Sequence, residues 1–497
     1  MATLEKTQST QVEEAGTPPS EASTLSEQHQ AYLIRRHGTL DLDPVPSMDP
    51  ADPYNWPLWK KSCNLALVSF HACMGTFTAA AIIPAYEEIA EDIAASIQRV
   101  SYLTSLQIAI LGAAPLVWKP LSQRFGRRPI FLASLILSCV CNIGCAKSPD
   151  YASMAACRAL VAFFISPAMA LGSAVVMEMF FKHQRAMYMG VWTVMVTLGV
   201  PVGPFIFGFV AERVGYRWIY WTLAITNAVQ LILYIFLGPE TRYIAPSPSP
   251  FKREYLTFSR IDRTPFTATE LLHPLTLFTN IPILLSAIAY SMVFLFASVL
   301  NSVEVPQLLQ LKFGLSASQL GLQFLGLIVG SLLGEQIGGY ASDAWMNMRT
   351  RQIRSRGNEN SRPPPEFRLW LSYPAFLITI AGTTTFLVCT EQAATGHWVV
   401  SPVIGTGIAA FGNQIITTVL TTYAVDTYPS DAGSIGVFIN FVRSTWGFIG
   451  PFWFTDMFES VGVAKSSGVV VALVMGGGFL PMALLHFFRG KGKRMEG

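Results

Sequence analysis

Several charged side chains stand inside long apolar runs of this chain. Arg158 lies in Ala156-Cys157-Arg158-Ala159-Leu160, and Arg443 in Asn440-Phe441-Val442-Arg443-Ser444-Thr445-Trp446-Gly447. Glu178, Glu304 and Glu335 are acids in comparable settings, the last beside Gly334 and close to Gly338. An arginine at mid-helix costs about 2.5–3.5 kcal/mol on insertion scales, so one kept there has a task or reaches the interface. A carboxyl group held in a low-dielectric cavity can load and release a proton near neutral pH. Glu335 is the deepest of the acids and the leading candidate proton carrier, followed by Arg158, Glu178 and Glu304; a hydrogen-bonded structural acid is the alternative reading of Glu335. Arg443 is expected to face a cavity, because lipid offers it no partner. Asn440, Asn413, Gln414 and Tyr290 would give that cavity polar edges, and Phe164, Phe294 and Trp446 apolar walls. Such a mixed, aromatic-lined cavity suits amphipathic organic molecules better than a sugar or a metal ion.

The elements that must position these groups are twelve apolar runs, at 62–86, 99–121, 128–147, 150–180, 186–211, 216–238, 278–303, 317–342, 368–389, 398–424, 432–456 and 467–488. Each is about long enough to cross a bilayer as a helix, which takes ~20 residues. The expected fold class is an all-α polytopic membrane protein with twelve transmembrane helices in two pseudo-symmetric six-helix bundles. The boundaries expected are a disordered tail over 1–57, a first bundle over 58–238, a loop over 239–277, a second bundle over 278–488 and a short tail over 489–497. Charged residues make up only 13% of the chain, against roughly 25% in a soluble domain, which leaves no room for a second soluble core. The first 50 residues hold no apolar signal, so the first span is expected to direct insertion. The final tail is expected to be too short for a signalling domain.

Orientation follows from the basic residues. With the N-terminus cytoplasmic, of the 34 lysines and arginines only Arg99, Lys147, Arg213, Arg217, Lys312 and Lys465 fall outside, while Arg158 and Arg443 fall within spans. Both termini are therefore expected in the cytoplasm. The loop over 239–277 reads as a solvated connector, with Thr267-Ala-Thr-Glu270 spaced as a capping box for a short helix. The stretch 343–367, with Pro363-Pro364-Pro365, reads as a second extended connector. The seven cysteines show no ligand or pairing spacing and read as packing residues.

Five stretches carry motifs. They are Asp52-Pro-Tyr-Asn-Trp-Pro57 before the first run, Arg124-Phe-Gly126-Arg127-Arg128-Pro129 between runs two and three, and Arg158. The others are the glycine series of run five and Pro239-Glu240-Thr241-Arg242. The series Gly190, Gly199, Gly203-Pro204, Gly208 clears a helix face for close approach, while Pro204 would bend the helix and Pro201 add a second break. Gly339-Tyr-Ala-Ser-Asp343 stands in the second half where the Gly126 loop stands in the first, which suggests duplication.

On these stretches the chain, over about residues 49 to 490, resembles the major facilitator superfamily, and within it the fungal twelve-span drug:proton antiporters. The resemblance implies that the loop with Gly126, Arg127 and Arg128 latches helices in the outward-facing state, with Asp343 the matching acid of the second half. It also implies that Arg158 assists proton movement. Family members usually carry glycine and aspartate where this chain has Lys119 and Gln123, so the latch lacks its usual acid here; Glu178 is a candidate replacement. The glycine series resembles the antiporter motif, with Phe207-Gly208 in place of its final glycine pair.

The function expected is secondary active transport, namely proton-coupled efflux of drugs, fungal toxins or other secondary metabolites by alternating access. The alternative is proton-coupled uptake of polyamines or another nutrient on the same fold. A phosphate-cradling loop, a zinc-protease helix and a serine elbow are all missing from the sequence, so no enzymatic activity, cofactor or metal is expected. The partners expected are a small-molecule substrate, protons and the lipid bilayer, with no nucleic acid. The chain is expected to act as a monomer in the plasma membrane, or in the vacuolar membrane.

Overall fold

The computed structural model describes residues 25–243, 255, 260–262, 265, 267–355, 363–428 and 431–492. The first six rods are α1 (Leu58–Asp92), α2 (Ile97–Ala113 continuing as Pro115–Phe125), α3 (Arg127–Ala146), α4 (Tyr151–Met179), α5 (Lys182–Val214) and α6 (Arg217–Leu237). The second six are α7 (Ile281–Val303), α8 (Ala317–Arg354), α9 (Pro365–Gln392), α10 (Ser401–Thr427), α11 (Ala432–Ile449 continuing as Pro451–Val461) and α12 (Val463–Phe488). Ten of these are single stretches long and apolar enough to cross a membrane, and α2, bent by 43° at Pro115, makes eleven. The remaining rod, α11, is interrupted before Pro451 and carries Asn440 and Arg443. Each of the twelve apolar runs thus coincides with one rod.

Burial sorts the rods. In α1 78% of the apolar window is buried and in α7 72%, whereas in α12 only 28% is. The outward faces of the peripheral rods carry large apolar side chains such as Val140, Ile232, Phe236, Leu484 and Phe488. Water would not tolerate so broad an apolar surface, but acyl chains make it the natural exterior. Polar residues start the helices where they can satisfy free N–H groups. Asp150 and Ser153 form a reciprocal capping box at α4, as do Ser316 and Gln319 at α8.

Four expectations change. Residues 25–57 are not a disordered tail. Glu27–His37 is helical, capped by Ser26, and Leu33 and Leu42 pack with Phe181. The Asp52–Pro57 stretch clasps the bundle: Tyr54 donates to the Met177 carbonyl at 2.5 Å, and Lys182 meets Asp43 at 2.9 Å. Residues 1–24 lie outside the described residues. Second, α8 continues to Arg354, through most of what reads as a connector, because 343–354 contains no proline or glycine to stop it. Third, the short helix Ala268–Leu272 exists, but Thr267 makes no side-chain cap, and the Glu270 carboxylate is engaged by Arg124 rather than by the helix start. Among the described residues of 239–277, Glu240 and Glu270 are tied to the first bundle and His273 to Ser434 of the second. Fourth, α5 runs unbroken through Pro201 and Pro204. It is packed closely on both sides, by α1 and by α8, and that packing holds the helix across the two missing hydrogen bonds.

Candidate functional site

A cavity of about 220 Å³ lies where the two bundles meet. Its lining comes from α1, α2, α4 and α5 of the first bundle and from α7, α8, α10 and α11 of the second. These are the same four positions in each half, as a duplicated architecture requires. Asn440 and Arg443 share a face of α11 because they are three residues apart. Arg443 donates from Nη1 to Tyr290 Oη at 2.9 Å and from Nη2 to Asn440 Oδ1 at 2.6 Å. Its guanidinium carbon lies 4.6 Å from the centre of the Phe294 ring, a cation–π contact. Its Nε is buried with no hydrogen-bond partner. Asn413 and Gln414 reach the cavity from α10, and Asn413 Oδ1 also has no partner. Tyr290 and Phe294 line it from α7 as expected.

Glu335 stands behind this lining. Its Oε2 accepts from Gln414 Nε2 at 3.2 Å, and the same Nε2 reaches Thr197 Oγ1 of α5 at 3.0 Å. A chain of polar contacts therefore runs from α8 through α10 to the first bundle. Gly334 makes the approach possible, since a Cβ there would fall 2.6 Å from the Phe411 carbonyl oxygen. The other expected proton groups are dispersed. Glu304 is 1% exposed, and neither carboxyl oxygen has a hydrogen-bond partner. Arg158 is fully buried inside the first bundle. It donates to Gln107 Oε1 at 2.8 Å, to the Ala79 carbonyl at 3.2 Å, and at 3.4 Å to the Leu103 carbonyl and Tyr220 Oη. Snorkelling to an interface does not describe it.

Two expected wall residues are elsewhere. Phe164 packs in the first bundle near Trp118, with centroids 6.5 Å apart, and lies outside the cavity lining. Trp446 is 39% exposed and lies off the Asn440–Arg443–Ser444–Gly447 stripe of α11 that faces inward. In their place the first bundle supplies Trp192, Met169, Thr76, Thr193 and Thr197. Thr193 and Thr197 are four apart on α5, a polar pair on one helix face that the sequence does display.

The loop between α2 and α3 is a built network. Gly126 has φ +93°, and a Cβ there would collide with Glu240 Oε2. Glu240 accepts from the backbone N–H groups of Arg127 at 2.8 Å, Arg128 at 3.0 Å and Arg242 at 2.9 Å, placing a carboxylate at the N-terminus of α3. Burial pushes the Glu240 carboxyl up, and the three N–H bonds pull it back. Arg128 donates to the carbonyls of Tyr234, Ile235 and Gly238 at 3.1–3.2 Å, covering the C-terminus of α6. Arg127 pairs with Glu178 at 2.7 Å, and Thr241 donates to the same carboxylate at 2.7 Å. Glu178 therefore faces this loop and not the cavity. Arg124 pairs with Glu270 at 2.7 Å, which holds the Glu270 carboxyl below its usual value. In the second half Asp343 meets Arg368 at 3.3 Å, and Arg368 also holds Asp426 at 2.8 Å.

The α5 glycines divide between two partners. Cβ atoms on Gly199 and Gly203 would fall 2.5 Å and 2.8 Å from the Cys73 and Phe77 carbonyl oxygens of α1. One on Gly208 would fall 2.5 Å from the Ala317 carbonyl oxygen of α8 in the other bundle. Gly190 meets nothing and takes no part in the crossing. A further series, Gly326, Gly330, Gly334 and Gly338 of α8, packs on α10; its four-residue spacing was legible and was missed. The bundles also touch at both ends. Gln98 donates to the Pro451 carbonyl at 2.5 Å, and Ser316 and the Ser318 N–H donate to Glu212 at 2.8 Å. At the arginine-rich end Lys119 donates to Ser434 Oγ at 3.0 Å.

Two helical bundles closing on a polar hollow, in a chain whose exterior is apolar, make this a polytopic membrane transporter. The chain belongs to the Major Facilitator Superfamily, whose model matches residues 65–451. It is 27% identical over 457 residues to the efflux pump radE of Floropilus chiversii, covering 88% of this chain and 82% of that one. It is 26% identical over 456 residues to the efflux pump FUB11 of Gibberella moniliformis, covering 88% and 74%. The crystal structure of the human organic anion transporter MFSD10 superposes with a TM-score of 0.58 at 16% identity, over 86% of this chain and all of that one; this likeness concerns the fold alone.

Proposed function

We propose that the protein is a proton-coupled exporter of amphipathic small molecules, such as drugs, fungal toxins or other secondary metabolites, working by alternating access. The observation that carries this reading is the cavity between the bundles, with Arg443, Asn440, Asn413, Gln414 and Tyr290 on the second-bundle side and uncharged Trp192, Met169, Val196 and threonines on the first-bundle side. The efflux pumps among its relatives favour the outward direction. The proton moves through Glu335, which touches the cavity by way of Gln414 and so links loading to cargo. Arg127, Glu178 and Glu240 hold the α2–α3 loop, and α5 turns against α8 at Gly208. The arginine-rich end and both termini face the cytoplasm, and the monomer resides in the plasma membrane. Each entering proton contributes about 2.3 kcal/mol per 100 mV of membrane potential. A pH difference adds about 1.4 kcal/mol per unit. Polyamine uptake would call for acids in the cavity wall, and none of the described lining residues is one. The test is accumulation of a fluorescent amphiphile in inside-out vesicles. Uptake that collapses with an uncoupler is expected; flux indifferent to the uncoupler defeats the coupling.

A further inference from the structure

The cavity carries a positive charge that nothing in its wall balances. Arg443 is the one charged side chain among the described residues lining it. Its bonded neighbours, Tyr290 Oη and Asn440 Oδ1, are neutral, and Nε is buried and unsatisfied. Glu335, the nearest acid in the polar chain, bonds Gln414 rather than the guanidinium. Arg158 is the internal control. It is fully buried and bonds no acid, yet its guanidinium is spent on four neutral groups, and it does not line this cavity. One arginine is closed off by structure; the other lines the cavity.

On the carrier reading above, we propose that the cargo is an amphipathic organic anion, and that Arg443 binds its acidic group. A guanidinium offers five N–H donors in a planar fork that matches a carboxylate or an ionised enol, and only two of those directions are taken here. Tyr290 and Asn440 hold the fork in place, and Phe294 covers one side of it. Trp192 and Met169, across the cavity, receive the apolar body. A cationic cargo would meet a like charge with no compensating acid. An interior-negative potential would drive the anion outward and the proton inward, so both movements favour export.

The experiment uses the full chain in nanodiscs of phosphatidylcholine, which supply no net negative lipid. Calorimetry compares 2-naphthoate, neutral 2-naphthamide and cationic 2-naphthylmethylammonium. Naphthoate is expected to bind at least about tenfold more tightly than the amide. Arg443→Gln should bring that ratio to about one, and Arg443→Lys should keep part of the preference. Tyr290→Phe, which removes one hold on the fork and keeps the ring, should weaken the preference and serves if Arg443→Gln does not fold. Equal binding of the three probes, no binding of naphthoate, or a preference that survives Arg443→Gln overturns the proposal. Displacement of naphthoate by added phosphatidylglycerol also overturns it, because the anion would then be a lipid. Proton-driven flux of the amide or ammonium without naphthoate sinks the anionic cargo and leaves the carrier. Naphthoate binding without proton-dependent flux of any probe sinks the carrier and leaves the anion site.

Discussion

The two bundles share an architecture and divide its chemistry. The first binds the charges of its α2–α3 loop, Arg124, Arg127, Arg128, Glu178, Glu240 and Glu270, into one network, seals Arg158 inside, and holds others such as Asp92, Arg217 and Glu212 at the opposite end. Its share of the cavity wall is neutral, with Trp192, Met169 and four threonines. The second bundle does the reverse. Its end network is one arginine shared by Asp343 and Asp426, with Asp343 largely exposed. Its cavity face carries Arg443, Asn440, Asn413, Gln414 and Tyr290, with Glu335 behind. A duplicated fold can therefore specialise by moving charge along the helices, since the backbone frame stays the same. The first half acts as the frame and the second as the reader of cargo.

The sharpest break in this comparison is Glu335→Gln. In the vesicle assay it should cut proton-driven flux by about 100-fold, the scale of a lost acid–base group, while Thr197→Val on the opposite wall changes it only a few-fold. Retained coupling in Glu335→Gln would place the proton elsewhere, with Glu304 the next acid to test. Second in size is Arg158→Met. Removing the guanidinium strands the Gln107 amide and two carbonyls in a dry interior, and should cost about 3 kcal/mol of stability. A thermal melt in detergent reads this, and an unchanged melting point would deny that the first bundle is braced there.

The end networks give a smaller contrast. Glu240→Gln keeps one acceptor oxygen, leaves at least one of the two α3 N–H groups unsatisfied and should cost about 1–2 kcal/mol, whereas Asp343→Asn, exposed and single, should cost under about 1 kcal/mol. Equal losses in denaturant titrations would erase the asymmetry. The smallest effect is a pH response. The Glu270 carboxyl is held below its usual value of 4.5 by its hydrogen bond with Arg124. Its tie to the first bundle is therefore complete above that pH and is lost as pH falls through the depressed value. Hydrogen exchange at residues 267–272 should quicken in acid, and Glu270→Gln should remove the pH step.

Much of this was legible from particular residues. The twelve apolar runs gave the rods, and Gly126 gave the tight turn, because length and composition act locally. Arg443, Asn440, Tyr290, Phe294, Asn413 and Gln414 were placed together from their polar character in apolar surroundings. Phe164 and Trp446 were misplaced with them because an aromatic ring is equally at home in lipid, core or cavity, so its type carries no direction. Glu240 was read as part of a motif, yet its job at the α3 N-terminus appears only once α6 returns beside α3.

The sequence by itself decided that the chain lives in a bilayer and which helices can approach closely, since transfer energies and missing Cβ atoms depend on residue type alone. The tertiary structure decided that Arg158 is enclosed and satisfied while Arg443 lines the hollow, and which acid stands beside it. Those outcomes depend on contacts between residues as distant as Gly208 and Ala317, or Thr197 and Gln414, and such distances exist only after the helices have packed.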